Sequence, residues 1–337
     1  MRRVAQWLRN KFTPKAIILL YHRVVELPSV FHSMCVRPQH FAEHLEVLQK
    51  SGRPMRLQQF VQALRKGHLP DRAVVVTFDD GYADNLYNAK PLLERYGIPA
   101  TFFITTGYVG RGREFWWDEL DRLLLQPRNL PETLSLSING NLYQWHFGSE
   151  GNHNMDDKQF RNCPKVEKKD EPTPRQRTFR SIYRLLYSLP DGERQRALNK
   201  LLNWTGMEPK ARPTHLTLSA DELTKLAEGK LIEIGAHTVT HSSLPLLPNV
   251  EQRDEIYRSK AYLEESLSQS VTSFSYPHGS LTEETAGLVR EAGFICACSS
   301  SKGVILKGSN FFQLPRVVVG DWNGEEFAKH LRKWFSA

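Results

Sequence analysis

Two carboxylates, Asp79 and Asp80, stand side by side at the end of the apolar run Val74-Val75-Val76-Thr77-Phe78, and Gly81-Tyr82 follows them. The run is short and β-branched, the mark of a buried strand. Adjacent carboxylates repel unless a positive group or a shared proton stabilises them. Ending a hydrophobic strand on that pair therefore serves chemistry better than packing, and a metal ion would resolve the repulsion. Partners of the right kind follow a second apolar run (Leu231, Ile232, Ile234), in Gly235-Ala236-His237-Thr238-Val239-Thr240-His241. Histidines four apart can project to one side. Two imidazoles and one carboxylate form a three-ligand set with room for water, the arrangement of a catalytic zinc centre. The other carboxylate is then free to act as base on that water. An H-x-x-x-H spacing alone arises readily by chance in a chain with twelve histidines. Its coupling to a strand-terminal Asp-Asp-Gly is what gives it weight.

Positioning such groups requires a scaffold that gathers strand ends. Seven strand-like runs can be counted: Ala16–Tyr21, Ala73–Phe78, Ala100–Ile104, Leu231–Ala236, Thr272–Tyr276, Phe294–Cys298 and Leu314–Val319. Helical patterns separate most of them, among them Ala83–Tyr96, stopped by Gly97-Ile98-Pro99, and a stretch opened by the capping box Ser219-Ala220-Asp221-Glu222. Alternating strands and helices argue for a parallel sheet, with reactive groups at the carboxyl ends of its strands. The side chains there are His22, the pair Asp79 and Asp80, Thr105, His237, Pro277 with His278, Ser299, and Gly320 with Asp321. Residues 108–218 break the alternation. Their first half reads as polar and irregular, Gly148–Pro174 as a mobile loop, and Arg175–Trp204 as two helices broken at Leu189-Pro190-Asp191-Gly192. A structureless connection of that length is implausible in a compact domain. The expectation is an inserted, partly helical subdomain at 108–218 between barrel halves at 1–107 and 219–337.

Composition is that of a soluble globular protein. The net charge of +8, from 45 basic and 37 acidic residues, is spread along the chain, and no nucleic-acid motif is present, so no nucleic-acid partner is expected. Four cysteines (Cys35, Cys163, Cys296, Cys298) form no disulfide framework; Cys296 and Cys298 read as small buried strand residues. No apolar segment reaches the roughly 20 residues that span a bilayer. Met1–Phe12 carries Arg2, Arg3, Arg9 and Lys11 without an acid, with Val4, Trp7, Leu8 and Phe12 at helical spacing. It reads either as a surface helix capping a barrel end or as a helix making peripheral membrane contact. A cytoplasmic location is expected, with membrane association and export left open.

Thr77-Phe78-Asp79-Asp80-Gly81-Tyr82 and His237-Thr238-Val239-Thr240-His241 resemble the first two motifs of the polysaccharide deacetylases, the NodB-like carbohydrate esterases, as does Leu92–Ile104. The resemblance covers roughly 17–105 and 231–322. It implies an α/β fold, a distorted (β/α)7 TIM-like barrel, and metal-dependent hydrolysis of N-acetyl groups from amino sugars of a polysaccharide or its biosynthetic intermediate. It further implies Asp79 as general base and Asp80, His237 and His241 as ligands of a divalent metal, with zinc expected. Two features depart from the family pattern. Where the family has Arg-x-Pro-Tyr, this chain has Ser275-Tyr276-Pro277-His278. The arginine that orients the base must then come from elsewhere, and Arg316 is the candidate. The family's late Leu-x-His motif appears instead as Leu20-Tyr21-His22 at the first strand, which resembles the circularly permuted branch that includes deacetylases of exported poly-N-acetylglucosamine. His22 is accordingly the expected acid, with Asp321 as the partner of its imidazole. Tyr82, Pro277, His278 and Trp322 are candidate substrate contacts, while Trp116-Trp117 reads as core ahead of sugar surface. Two alternatives stand beside this reading: a deacetylase of a lipid-linked or small acetylated sugar, and a catalytically silent carbohydrate-binding homologue.

Overall fold

The computed structural model describes residues 15–27, 34–126, 129–138, 140–146 and 173–336. The basic amino-terminal segment, with its expected membrane contact, Cys163 and nearly all of Gly148–Pro174 lie outside the described residues. The chain divides into two compact units, one formed by Met1–Glu26, Ser33–Gly110 and Leu218–Ala337, the other by Leu27–His32 and Arg111–Thr217.

The first unit is built on a curled parallel sheet of seven principal strands. They are β1 (Ala16–Tyr21), β2 (Ala73–Phe78), β3 (Ala100–Ile104), β4 (Ile232–Ala236), β5 (Ser273–Ser275), β6 (Cys296–Cys298) and β7 (Val317–Val318). Their order is β6-β5-β4-β3-β2-β1-β7, and a short strand, Arg53–Pro54, pairs with the start of β2. The segment that leads into β7 runs beside β6, with Leu314 N donating to Ala297 O (2.9 Å) and Ser299 N to Leu314 O (2.9 Å). Two edges of the sheet are thereby linked into a distorted barrel, and the first strand lies between the second and the last. Every residue of β1, β2 and β3 is buried, as continuous apolar strands of a parallel sheet covered on both faces must be.

Strand alternation sorts the core. Ile17, Leu19, Val74, Val76 and Phe78 pack among outer helices. Ile18, Val75, Phe103, Cys296 and Cys298 form a second cluster with Leu57, Phe60, Val61 and Leu64 of the helix Leu57–Arg65. Asp79 and Thr77 share the parity of Val75, so they continue this inner face. Cys35, Cys296 and Cys298 are buried, the last two as free thiols. Gly235 allows β4 to approach β3 closely, because a Cβ there would lie 2.5 Å from the Phe103 ring.

A buried histidine ties β1 to the helix Gly324–Ser336. His44 Nε2 donates to the Trp322 carbonyl (2.7 Å), which leaves Nδ1 to accept from the Tyr21 hydroxyl (3.2 Å), and the ring stacks on Phe327. Burial pushes its pKa down to about 4. An unfolded histidine titrates near 6.5, so below that pH the unfolded chain binds a proton that the folded chain refuses. Stability contributed above pH ~6.5 is therefore lost as pH falls towards 4, roughly 2 kcal/mol by pH 5. Urea denaturation at pH 7 and pH 5 checks this. The wild type should lose more stability than His44→Gln over that interval, and parallel losses would contradict the assignment.

The second unit departs from the irregular segment expected in its first half. It holds a helix, Trp116–Leu125, and an antiparallel hairpin of Thr133–Ile138 with Asn141–His146, ahead of the helices Pro174–Tyr187 and Asp191–Thr205. The alternation in Thr133–Ile138, with Leu134, Leu136 and Ile138 buried and the residues between them exposed, drives the hairpin. The Asn139-Gly140 dipeptide supplies its turn signal. Trp116 and Trp117 are both buried, so they are core. Arg212 is held within this unit by Glu114 and Asp121, at 2.7 and 2.8 Å.

Candidate metal centre and active site

Strand register assembles the site. Tyr21 pairs with Phe78, so the next residues, His22 and Asp79, leave the sheet side by side, and Asp79 N donates to Tyr21 O at 3.1 Å. In the same way Phe274 pairs with Ala236, which sets Ser275 beside His237.

Asp79 is buried and gripped by a fully buried arginine. Arg316 Nη1 donates to Asp79 Oδ1 (2.7 Å) and Nη2 to Oδ2 (2.6 Å). The remaining guanidinium N–H groups reach Ser299 O, Thr77 Oγ1 and Ser275 Oγ at 3.0, 3.2 and 2.8 Å. Ser275 Oγ itself donates to Asp79 Oδ2 at 3.1 Å. All five donors of the fork are used, which fixes both the arginine and the carboxylate. Burial pushes the Asp79 carboxyl up, but the Arg316 guanidinium outweighs it, with His237 acting in the same direction, and the group is held well below the usual carboxylate range. Asp79 is therefore ionised at any working pH.

Asp80 is different. It is buried, its carboxyl is pushed up chiefly by that burial, and neither of its oxygens accepts a hydrogen bond. Facing it are His241 Nε2, 3.2 Å from Oδ1, and His237 Nε2, 3.6 Å from the same atom. His237 Nδ1 donates to Ser275 O (2.7 Å), so its Nε2 presents a lone pair to the carboxylates. The ligand atoms of Asp80, His237 and His241 all lie within 4.8 Å of one another. A buried carboxylate without a donor, next to the His237 lone pair and the His241 ring nitrogen, fits a divalent cation.

The backbone is strained where the ligands sit. Of six non-glycine residues with positive φ among the described residues, four are Asp80, Thr238, His241 and His278. Such conformations cost energy and persist where surrounding structure enforces them. For the histidine turn the enforcer is Glu255, from the helix Asn249–Leu267. Its carboxylate accepts from Val239 N, Thr240 N and Thr240 Oγ1 at 2.8, 2.9 and 2.6 Å. Glu255→Ala is expected to weaken affinity for a divalent metal by about 10–100-fold, the usual effect of losing an outer-shell support, as read by competition with a chromophoric chelator. Unchanged affinity would show that the turn holds itself.

The remaining expected residues are placed as follows. His22 is half-buried; burial pushes its pKa down, while the charges of Asp80 and Asp79 act to raise it. His278 is exposed, its ring set edge-on to His241 at 4.6 Å, and Pro277 is buried beneath it. Asp321 does not pair with His22. It accepts from Arg37 N (2.9 Å) and Arg37 Nε (2.8 Å) and bonds His40 Nδ1 (2.8 Å), because the chain beyond β7 leads to the start of the helix Pro38–Ser51. Tyr82 is buried with the Arg23 guanidinium 4.1 Å over its ring, so it presents no sugar platform here. Trp322 is half-buried and stacks on His330 at 4.0 Å. Sequence reasoning missed Ser275 as a donor to Asp79, along with Glu255, Asp84, Asn85 and Asn88. Only Ser275 carried a signal, its place in the third motif.

Comparison with known proteins agrees with this geometry. The sequence pattern of the polysaccharide deacetylase family matches residues 66–130 and 213–297. Over these two segments the chain carries a polysaccharide deacetylase domain. A poly-β-1,6-N-acetyl-D-glucosamine N-deacetylase of Staphylococcus aureus is 21% identical over 278 residues, covering 82% of this chain and 64% of the relative, under two thirds of its length. Among solved structures, IcaB from Ammonifex degensii superimposes with a TM-score of 0.59 at 18% identity, covering 96% of this chain and 98% of that one. The Streptococcus pyogenes deacetylase PplD, in complex with acetate, gives 0.58 at 16% identity, covering 95% and 99%. Both show the same fold.

Proposed function

We propose that this protein is a metal-dependent hydrolase that removes N-acetyl groups from glucosamine units of a polysaccharide, with β-1,6-linked poly-N-acetylglucosamine the favoured substrate and zinc the favoured metal. The observation that carries the reading is the division of labour between neighbouring carboxylates. Asp79 is ionised and fixed by Arg316 and Ser275, while Asp80 is orphaned towards His237 and His241. The same division counts against a silent carbohydrate-binding role, for which the Asp79–Arg316 grip and the orphaned Asp80 would serve no purpose.

Asp80, His237 and His241 would hold the metal, which when bound supplies the Lewis acidity that makes water a nucleophile near neutral pH. Asp79 accepts the proton of the attacking water, its two oxygens kept in place by the guanidinium fork. The carbonyl carbon becomes tetrahedral, and the C–N bond then breaks as His22 donates a proton to the departing amine. Acetate and a free amine result. Because burial holds His22 below its ordinary pKa, the protonated fraction shrinks through the neutral range, and the amide-cleaving rate falls with it as pH rises.

The test is acetate release from N-acetylated β-1,6-glucosamine oligomers by the zinc-loaded full chain, before and after chelation. Release matched one-to-one by new amines, lost with chelator and restored by zinc, is expected. Absence of release from β-1,6- and β-1,4-linked oligomers by the metal-loaded protein would refute the function, and release indifferent to chelation would refute its metal dependence.

A further inference from the structure

We propose that Asp84, Asn85 and Asn88 form a latch that positions His22 beside Asp79. The inference rests on the reading of His22 as the proton donor. His22 lies between the end of β1 and the two-residue strand Arg23–Val24, a stretch with little regular structure of its own to aim a side chain. Its backbone is held instead by the helical segment that follows the Asp79-Asp80-Gly81-Tyr82 turn.

Five contacts make the connection. Asn85 Nδ2 donates to the His22 carbonyl at 2.9 Å. Asp84 Oδ1 accepts from Val24 N at 3.0 Å, and Asp84 Oδ2 takes Arg23 Nε at 2.9 Å and Nη2 at 2.8 Å. Asn88 Nδ2 donates to the Val24 carbonyl at 2.7 Å. The Arg23–Asp84 pair is nearly sealed, with side chains 5% and 8% exposed, and the guanidinium lies over the Tyr82 ring. The carbonyl of His22 itself and the two residues after it are thus bonded to residues only five to nine positions beyond Asp79. Base, ligand and acid are thereby joined in one rigid piece. Asn85–Ala89 is moreover a π-helical turn, a widened geometry that recurs at functional sites and that helices otherwise avoid.

A latch of this kind acts through another residue, and its signature differs from general loosening. If His22 protonates the leaving group, it matters for an amide, whose amine departs poorly without a proton, and little for 4-nitrophenyl acetate, whose phenolate departs unaided. Asn85→Ala and Asn88→Ala are each expected to lower the ratio of amide to ester hydrolysis by about tenfold or more, since a displacement near 1 Å can cost up to 10²-fold. KM and zinc stoichiometry should stay at wild-type values, and His22→Ala should lower the same ratio further. Should the buried Asn85→Ala fail to fold, the half-buried Asn88→Ala carries the test. If the latch variants keep the wild-type ratio while His22→Ala loses it, the latch is overturned. A parallel fall of amide and ester rates also overturns it, because the residues would then only support the fold. An unchanged ratio in His22→Ala instead refutes the role of His22, and the latch inference falls with it.

Discussion

Asp79→Asn is expected to lower amide hydrolysis by about 10³-fold, within the range that general-base catalysis contributes, while zinc content remains at one per chain. The substitution keeps shape and removes only the capacity to take a proton. It has a structural cost as well, because one N–H of Arg316 loses its acceptor and now faces an amide NH₂. Leaving a buried donor without a partner costs about 1–3 kcal/mol, so thermal unfolding must accompany the kinetics, with rates measured well below the variant's Tm. Metal analysis separates the two carboxylates. Loss of zinc from Asp79→Asn would make Asp79 a ligand, and undiminished turnover would remove it from the base role. Asp80→Asn should show the converse, losing zinc together with activity.

Arg316→Met should have the second-largest effect, on stability and on pH dependence together. Removing one member of a buried pair strands the other, which typically costs about 3–5 kcal/mol. The largest influence on the Asp79 carboxyl is burial, which raises its pKa, and Arg316 is the first of the charges that reverse it. Without the guanidinium, burial prevails and the carboxyl titrates higher. The sign follows. In the wild type Asp79 adds stability above the unfolded carboxylate pKa of ~3.9 and loses it only as pH falls below that value. In the variant the ionised base returns only as pH rises, so the acidic limb of kcat/KM should shift upwards. Arg316→Lys should fall between, since an ammonium keeps the charge but cannot grip both oxygens and still reach Ser299 O. A variant that keeps the acidic limb of the wild type would show that Ser275 alone suffices to hold the base.

These two outcomes bear on how a family motif can be redistributed. Ser275 is small, and the arginine expected at its position is supplied instead by Arg316 at the approach to β7. The serine then becomes a link, taking a bond from Arg316 and giving one to Asp79. Small side chain and distant arginine together fill the space and charge of one orienting group.

Much of the barrel is legible along the chain because its signals are local. Continuous β-branched and apolar runs such as Ala73–Phe78 are what a strand buried on both faces requires, and capping residues such as Ser219 with Glu222 mark helix starts. Donor types at strand ends are equally local, so Asp79, Asp80, His237 and His241 could be singled out from sequence. The hairpin Thr133–Ile138 with Asn141–His146 carried a signal too, in its alternation and its Asn-Gly, yet its polar alternate residues read as an irregular stretch.

Partner choice was not legible in the same way. Whether Arg316 meets Asp79, 237 positions away, depends on the order β6-β5-β4-β3-β2-β1-β7 and on strand register, neither of which leaves a mark in local periodicity. Asp321 shows the limit plainly. Its carboxylate type and position by β7 suited a histidine partner, and it has one, but His40 in place of His22. Tyr82 likewise has the composition of a sugar platform and is closed off by Arg23. The sequence alone determined which chemistry is carried at the strand ends, because residue type and strand pattern are local properties. The tertiary structure decided which carboxylate is clamped and which is left open to a metal, because that depends on charges brought together from distant segments in a dry interior, where a single guanidinium outweighs burial.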